Sequence, residues 1–236
     1  MSRRTIAIVP ARGGSKRVPR KNVREVGGKP LLAYTLEQAG SVSTFDEVVV
    51  STDDDEIASV AERYGGSVPF ERPASLATNS APTSAVVTHA LDWYEDQGER
   101  FDEVCLLQAT SPLRTAADVE AALSRFRTAD ADSLVSVTKY DTPPQVALVV
   151  EDGFLVEKYD PPSVFSDEYV RSQDLDDPVH ANGAIYVTTT DVWRREETFY
   201  TDRTVGYEMP PERSIDVDEP WHLDLADALL SRRHNS

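Results

Sequence analysis

The chain has 236 residues, 40% of them hydrophobic and 28% charged, with a formal net charge of −17. These values suit one soluble globular domain with an elaboration, and the acidity excludes a general nucleic-acid binder, whose footprint is a net basic face. No apolar run approaches the roughly 20 residues that span a bilayer, the first residues lack the apolar stretch of a signal peptide, and a lone Cys105 excludes an internal disulfide. The cytoplasm is the expected compartment, with Cys105 a buried, inert thiol among apolar neighbours. Only five of the 24 basic residues are Lys; that balance fits a high-salt habitat or simply an acidic solvated surface.

In chain order, Thr5–Val9 reads as a strand. Pro30 precedes a helical pattern over Leu31–Ala39. Glu47–Ser51 reads as a strand, and Thr52 or Asp53 can cap a helix over Asp54–Tyr64 that Gly65-Gly66 ends. A helix over Ala85–Tyr94, a buried strand over Val104–Gln108, a helix over Ala116–Phe126 and a strand over Ser133–Thr138 follow. Alternation of this kind implies an α/β fold, a mostly parallel sheet with helices on both faces. The pattern breaks at residues 140–180, which hold five prolines, two weak strands and no clear helix. This stretch is expected to leave the core and reach a partner subunit. Regular structure resumes at Ala184–Thr188, and the chain closes with an alternating "SIDVD" and a helix from about Pro220 to Leu230.

The chemistry gathers after the first strand. Residues 9–22 read "VPARGGSKRVPRKN", and no acidic residue precedes Glu25. A loop leaving a parallel strand lies at the carboxyl edge of the sheet, where open α/β folds bind ligands. Gly13 and Gly14 allow close backbone approach, and Arg12, Lys16, Arg17, Arg20 and Lys21 supply positive charge. The loop suits a polyphosphate, although alone it also reads as an ordinary turn with solvated charges. It fits neither the P-loop nor the G-x-G-x-x-G fingerprint. In "SIDVD", alternation puts Asp216 and Asp218 on one face, a costly pairing without a cation nearby; an acidic strand end is the plainer alternative. A helix N-terminus accounts for "DDD" at 53–55. The four histidines have no metal-ligand spacing, and no Ser-His-acid arrangement is visible.

The ordered set "ARGGSKRVPRKN", "GKPLLAYTLEQA", "VVVSTDDDEIA", "RPASLAT", "LLQATSPLRT", "RSQDL", "NGAIYV" and "MPPERSIDVD" resembles the CMP-sialic acid synthetases (acylneuraminate cytidylyltransferases) from Ile6 to about Leu229. The resemblance implies a Rossmann-like nucleotidyltransferase fold, a homodimer, CTP and a nonulosonic acid as substrates, and Mg²⁺. It assigns Arg12, Ser15, Lys16, Lys21 and Asn22 to the nucleotide loop, with Arg12 and Lys21 neutralising the developing pyrophosphate. Arg72 would read the O2 and N3 acceptors of cytosine, and Thr83 would supply a hydroxyl near the nucleoside. Asn79 stands where the motif usually has Asp. Gln108 would contact sugar or nucleotide, while Arg114 could equally be a structural ion-pair partner. Arg171, Gln173 and Asn182 fall on the sugar-binding stretch, where an arginine is the natural fork for the sugar carboxylate. Tyr186, Phe199 and Tyr200 fall on aromatics of the sugar pocket, though each could be plain core. Asp216 and Asp218 would be the metal ligands. "DDPVHA" departs from the family between Leu175 and Asn182 and leaves the sugar open: legionaminate, pseudaminate and 3-deoxy-manno-octulosonate are alternatives. A non-catalytic nucleotide-binding module is the alternative of a different class.

Overall fold

The computed structural model describes residues 3–159 and 178–234. Ten strands are present among them: β1 Thr5–Pro10, β2 Glu25–Val26, β3 Lys29–Pro30, β4 Glu47–Ser51, β5 Glu103–Leu107, β6 Ser133–Lys139, β7 Leu148–Glu151, β8 Phe154–Glu157, β9 Val179–Thr189 and β10 Thr204–Glu208. The α-helices are α1 Leu31–Gly40, α2 Asp55–Arg63, α3 Thr83–Asp96, α4 Ala116–Thr128, α5 Thr190–Glu196 and α6 Pro220–His234. None is long and apolar enough to cross a membrane.

Six strands form the central sheet in the order β10-β6-β9-β5-β1-β4. All neighbours are parallel except β9, which runs antiparallel to both β5 and β6. Successive residues of β1 face opposite sides, and both sides are apolar. Ala7 and Val9 pack with Leu36, Ile57 and Leu123 of α1, α2 and α4. Ile6 and Ile8 pack with Val87 and Leu91 of α3 and with Trp193 of α5. Burial on both faces is why the strand reads as a continuous apolar run. The α/β architecture expected from the sequence, a mostly parallel sheet covered on both faces, is the one observed.

Three details differ from the sequence reading. The cap of α2 is Asp54, whose carboxylate accepts from the Glu56 and Ile57 amides at 3.1 and 3.0 Å, rather than Thr52 or Asp53. The strand read as Ala184–Thr188 begins at Val179, five residues earlier. Its polar start, "VHANG", hides it; β9 crosses a register shift against β6 near Val135, and Gly183 there has φ of +79°, a value that favours glycine. The third is a gap: the sequence reading has no counterpart of α5 or β10. The first is a seven-residue helix capped by Thr189, and the second a sheet-edge strand with alternating exposure, both too short to carry a clear period.

The departure from the core after Lys139 is observed as far as residue 159. Strands β7 and β8 form a separate hairpin turned by Asp152 and Gly153, both at positive φ. Val150, Phe154 and Leu155 on it are 71%, 75% and 57% exposed.

Candidate active site

The parallel strands bring the loop after β1, the Ser51–Asp54 turn after β4 and the Gln108–Arg114 segment after β5 to one edge of the sheet. The antiparallel course of β9 brings its start to the same edge, and residues 209–218 return there from β10. A cavity of about 510 Å³ lies between these segments. Its wall carries five cationic side chains, Arg12, Lys16, Arg17, Lys21 and Arg72, against one carboxylate, Asp218. That local excess of positive charge sits in a chain whose net charge is −17.

The loop is held by acids that the sequence reading assigned only to a helix start. The Gly13 amide donates to Asp53 Oδ1 at 3.0 Å. A Cβ at Gly13 would lie 2.7 Å from Asp54 Oδ2, so only glycine lets the loop approach α2 this closely. Arg20, in the left-handed region at φ 60°, donates to Asp54 at 2.7 Å and pairs with Glu56. Asn22 is buried and donates to the Arg12 carbonyl at 3.0 Å, shaping the loop from inside. Ser15 and Asn22 also reach the cavity wall. Arg12 makes only a 3.5 Å contact with the Ala77 carbonyl, and neither Arg12 nor Lys16 has a carboxylate partner among the described residues. Lys21 donates to the Val217 carbonyl at 2.7 Å and to Asp218 Oδ1 at 2.9 Å. Arg17 takes the other oxygen, Asp218 Oδ2, at 3.2 Å.

Arg72 is 4% exposed. Its Nε donates to Ser51 Oγ at 3.0 Å and its Nη2 to the Ser51 carbonyl, leaving Nη1 without a hydrogen bond among the described residues. Burial is the main cause that brings its pKa down to about 10, with Arg12 adding to the effect. Thr83 and Asn79 lie on the same wall, Thr83 as the first residue of α3. Gln108 lines the cavity just past β5. Its carbonyl is fixed by Thr35 Oγ1 and Arg114 Nη1, each at 3.3 Å. Arg114 is 1% exposed and also binds the Ala184 carbonyl at 2.7 Å and Thr35 Oγ1 at 2.9 Å. It forms no salt bridge among the described residues: it ties β5, β9 and α1 together through oxygens that carry no formal charge.

The "SIDVD" stretch joins no sheet. Val217 is buried in the core under α6, and its amide donates to the Thr110 carbonyl at 2.8 Å. The Thr110 side chain lies beside Asp216, whose buried Oδ1 has no hydrogen-bond partner among the described residues. Burial, helped by the nearby Asp218, pushes its carboxyl above the ordinary range. For Asp218, burial pushes the same way, but Lys21 and then Arg17 outweigh it and hold the carboxyl below its usual range. One carboxylate short of a partner beside another with two is a donor set that fits a hard cation. No cluster of three or more Asp, Glu, His or Cys ligands accompanies it among the described residues, so other ligands would have to be substrate oxygens and water. His222 was passed over in the sequence: its Nδ1 accepts from the Asp218 and Glu219 amides at 3.0 and 3.1 Å, fixing the turn into α6.

The residues expected at the sugar divide. Asn182 is 5% exposed and its amide is spent inside the protein. Oδ1 accepts from Ser136 Oγ at 2.6 Å and the Ala184 amide at 3.1 Å, while Nδ2 donates to Ser214 Oγ at 2.9 Å and contacts Met209 Sδ at 3.3 Å. In this structure the Asn182 amide braces β9 to residue 214. Phe199 is core, packed on Trp193 at 4.8 Å between ring centroids. Tyr186 is half-buried, and Tyr200 is 60% exposed with its ring 6.4 Å from that of Tyr186. Burial, with Tyr200 and Asp216 nearby, raises the Tyr186 phenol. Arg171 and Gln173 lie outside the described residues. Cys105 is fully buried, and burial pushes its thiol up to about 12, so it is inert as expected.

A family model for cytidylyltransferases matches residues 6–229. The chain is 35% identical over 233 residues to the pseudaminic acid cytidylyltransferase of Campylobacter jejuni subsp. jejuni, covering 99% of each chain. It is 35% identical to the CMP-N,N'-diacetyllegionaminic acid synthase of Legionella pneumophila, covering 96% of each. The N-acylneuraminate cytidylyltransferase of Escherichia coli O18:K1:H7 is 32% identical over 99% of this chain but only 54% of its own length. Among solved structures, a CMP:2-keto-3-deoxy-manno-octonic acid synthetase complexed with CTP superposes with a TM-score of 0.68 at 20% identity over 98% of this chain and 99% of its own, a likeness of fold. By the family match over nearly its whole length, and by full-length relatives at 35% identity, the chain belongs to the cytidylyltransferase family.

Proposed function

We propose that this cytidylyltransferase couples the CMP of CTP to a nonulosonic, sialic-type acid and releases pyrophosphate. The observation that carries the reading is the cavity itself: five cations converge at the sheet edge of an acidic protein around Asp218, two residues from an Asp216 oxygen that lacks a partner among the described residues. In the proposed reaction the anomeric hydroxyl oxygen of the sugar bonds to the α-phosphorus of CTP. The bond from that phosphorus to the bridging oxygen breaks, pyrophosphate leaves, and the hydroxyl proton passes to solvent.

Arg12, Lys16 and Lys21 hold the phosphates and neutralise charge that grows on the leaving pyrophosphate; Ser15 and Asn22 keep the loop in shape around them. Arg72, anchored on Ser51, presents its remaining donors to the base, with Thr83 beside the nucleoside. Gln108, Tyr186 and Tyr200 face the sugar, and the resemblance adds Arg171 and Gln173. Asp216 and Asp218 would hold Mg²⁺. When bound, the ion supplies screening of phosphate charge and a lowered pKa for the attacking hydroxyl. No side chain in the described site is placed as a general base, so positioning and charge carry the catalysis. CTP supply favours the cytoplasm as the site of action.

The particular sugar has a second reading. Two relatives matched over nearly their full length are named for pseudaminic and N,N'-diacetyllegionaminic acid. Either could be the true acceptor in place of N-acetylneuraminate. Separate incubations with CTP, Mg²⁺ and each of the three acids, and with 3-deoxy-manno-octulosonate, test this, with the product identified by mass. A CMP-sugar formed fastest from one nonulosonic acid supports the reading and names the acceptor. Product from 3-deoxy-manno-octulosonate alone would refute it.

We further propose a homodimer through the β7–β8 hairpin. A two-stranded sheet with five exposed apolar side chains is marginal in water and gains from a cover.

A further inference from the structure

We propose that Arg213 and Asp118 form a positioning pair that sets where Asp216 and Asp218 stand relative to the cavity that Asp218 lines. The proposal rests on the reading of those two aspartates as cation ligands.

Residues 214–218 make no sheet ladder, so point contacts decide their place. Downstream, Val217 is fixed to Thr110, and Asp218 to Lys21. Upstream the anchor is Arg213, which closes the 3-10 turn Pro211–Arg213, three residues before Asp216. Its Nε donates to Asp118 Oδ2 at 3.0 Å and its Nη2 to Asp118 Oδ1 at 2.8 Å. A two-pronged bond of this kind fixes direction as well as distance. Lysine would satisfy the charge but not the fork.

Asp118 is more than the helix cap that α4 requires. It lies in the first turn of α4 and is 2% exposed. It takes five hydrogen bonds: from the Thr115 amide at 2.9 Å, the Thr115 hydroxyl at 2.6 Å, both prongs of Arg213, and Tyr207 Oη at 3.2 Å. A capping box is satisfied by an exposed acid at this position. A buried one must be paired, and here the pair spans 95 residues to reach the segment ahead of the aspartates. The same α4 start follows Arg114, which fixes the Gln108 strand end. The Asn182 amide completes the frame by holding Ser214 Oγ. The two walls of the cavity that would meet across the reacting atoms, Gln108 and Asp218, are thus referred to one helix terminus. The backbone of the nucleotide loop hangs on Asp53, Asp54 and Asn22 instead, and Arg72 on Ser51, while the Lys21 and Arg17 side chains cross from the loop to Asp218.

This separation gives the test. Arg213→Gln, Arg213→Lys and Asp118→Asn are compared with the unaltered protein and with Asp216→Asn. Three quantities are read: CTP affinity in EDTA, Mn²⁺ affinity of the CTP-saturated protein by electron paramagnetic resonance without sugar, and the Mg²⁺ dependence of pyrophosphate release. For Arg213→Gln the expected result is CTP affinity in EDTA within about twofold, with Mn²⁺ affinity and Mg²⁺ half-saturation weakened about tenfold. Arg213→Lys falls between Gln and the unaltered protein. Arg213 is partly exposed, so its variants give a folded readout even where Asp118→Asn lowers the melting temperature. A fall in melting temperature with both metal constants unmoved makes the pair merely structural and overturns the proposal. If Asp216→Asn itself leaves both metal constants unmoved, the ligand reading fails and the proposal falls with it.

Discussion

Lys21 and Asp218 lie 197 residues apart in the chain and meet with Nζ 2.9 Å from Oδ1. The contact joins the basic loop after the first strand to the acidic segment before the last helix. Lys21 is the more enclosed partner, 14% exposed against 38% for Asp218. Without nucleotide the two charges neutralise each other. A triphosphate would compete for the lysine, and a divalent cation for the aspartate, so both partners are already placed where the proposed reaction needs them.

Lys21→Ala removes a cation that the proposed pyrophosphate needs. Turnover should fall on the order of 10²-fold or more, the scale of losing one preorganised charge donor, in a protein that stays folded. Steady-state kcat/KM for CTP checks this, with circular dichroism as the folding control. Near-normal kcat/KM would remove Lys21 from the site.

Base choice should rest on Arg72. Cytosine offers an acceptor at N3 where uracil has a donor, and a buried guanidinium facing that donor leaves both unpaired at a cost of about 1–3 kcal/mol. CTP should therefore be preferred to UTP by roughly 5- to 150-fold, a factor of ten for each 1.4 kcal/mol. Arg72→Met should compress the preference while lowering both rates. Equal use of the two nucleotides by the unaltered protein would show that Arg72 does not read the base.

The hairpin supplies the assembly prediction. Phe154→Asp places a charge where an apolar side chain is 75% exposed. Light scattering at micromolar concentration should report a dimer for the unaltered chain and a monomer for Phe154→Asp. A fully active monomer of the unaltered chain would contradict the dimer.

Acid stability should carry the mark of Asp118. Burial pushes this carboxyl up, but Arg213 and the Thr115 bonds outweigh it, so its folded pKa lies below the ordinary carboxylate value. Arg213 and Tyr207 touch it, and Arg114 and Arg233 act on it from further away. The unfolded state then binds the proton more readily. The stabilisation is present above the unfolded pKa of about 4 and is lost as pH falls from there through the folded value. Asp118→Asn should lower the melting temperature at pH 7 and flatten its decline between about pH 5 and 3. A decline as steep as in the unaltered protein would assign the acid limb to other groups.

Most of the layer structure was legible because the strands buried on both faces are unbroken apolar runs and the long helices have clear periods. The edge positions of the loop and Gln108 were legible for a related reason: each follows a strand whose direction topology dictates. What stayed hidden depends on three-dimensional pairing. Nothing in the sequence says that Asp53 holds Gly13, that Asn182 spends its amide on Ser136 and Ser214, or that Arg213 reaches back to Asp118. The Thr115-x-x-Asp118 capping box emerges only in the structure, together with the arginine that its acid recruits. Phe199 is aromatic core because α5, a helix too short to read, brings Trp193 against it.

The central claim is that nucleotide, cation and sugar acid react together in one cavity. The most direct measurement is pyrophosphate released per CMP-sugar formed, with CTP, Mg²⁺ and a nonulosonic acid each omitted in turn. The account predicts one pyrophosphate for each CMP-sugar when all three are present, and none when any is left out. Pyrophosphate released from CTP and Mg²⁺ alone, or no CMP-sugar from any nonulosonic acid under conditions where CTP binds, would contradict it.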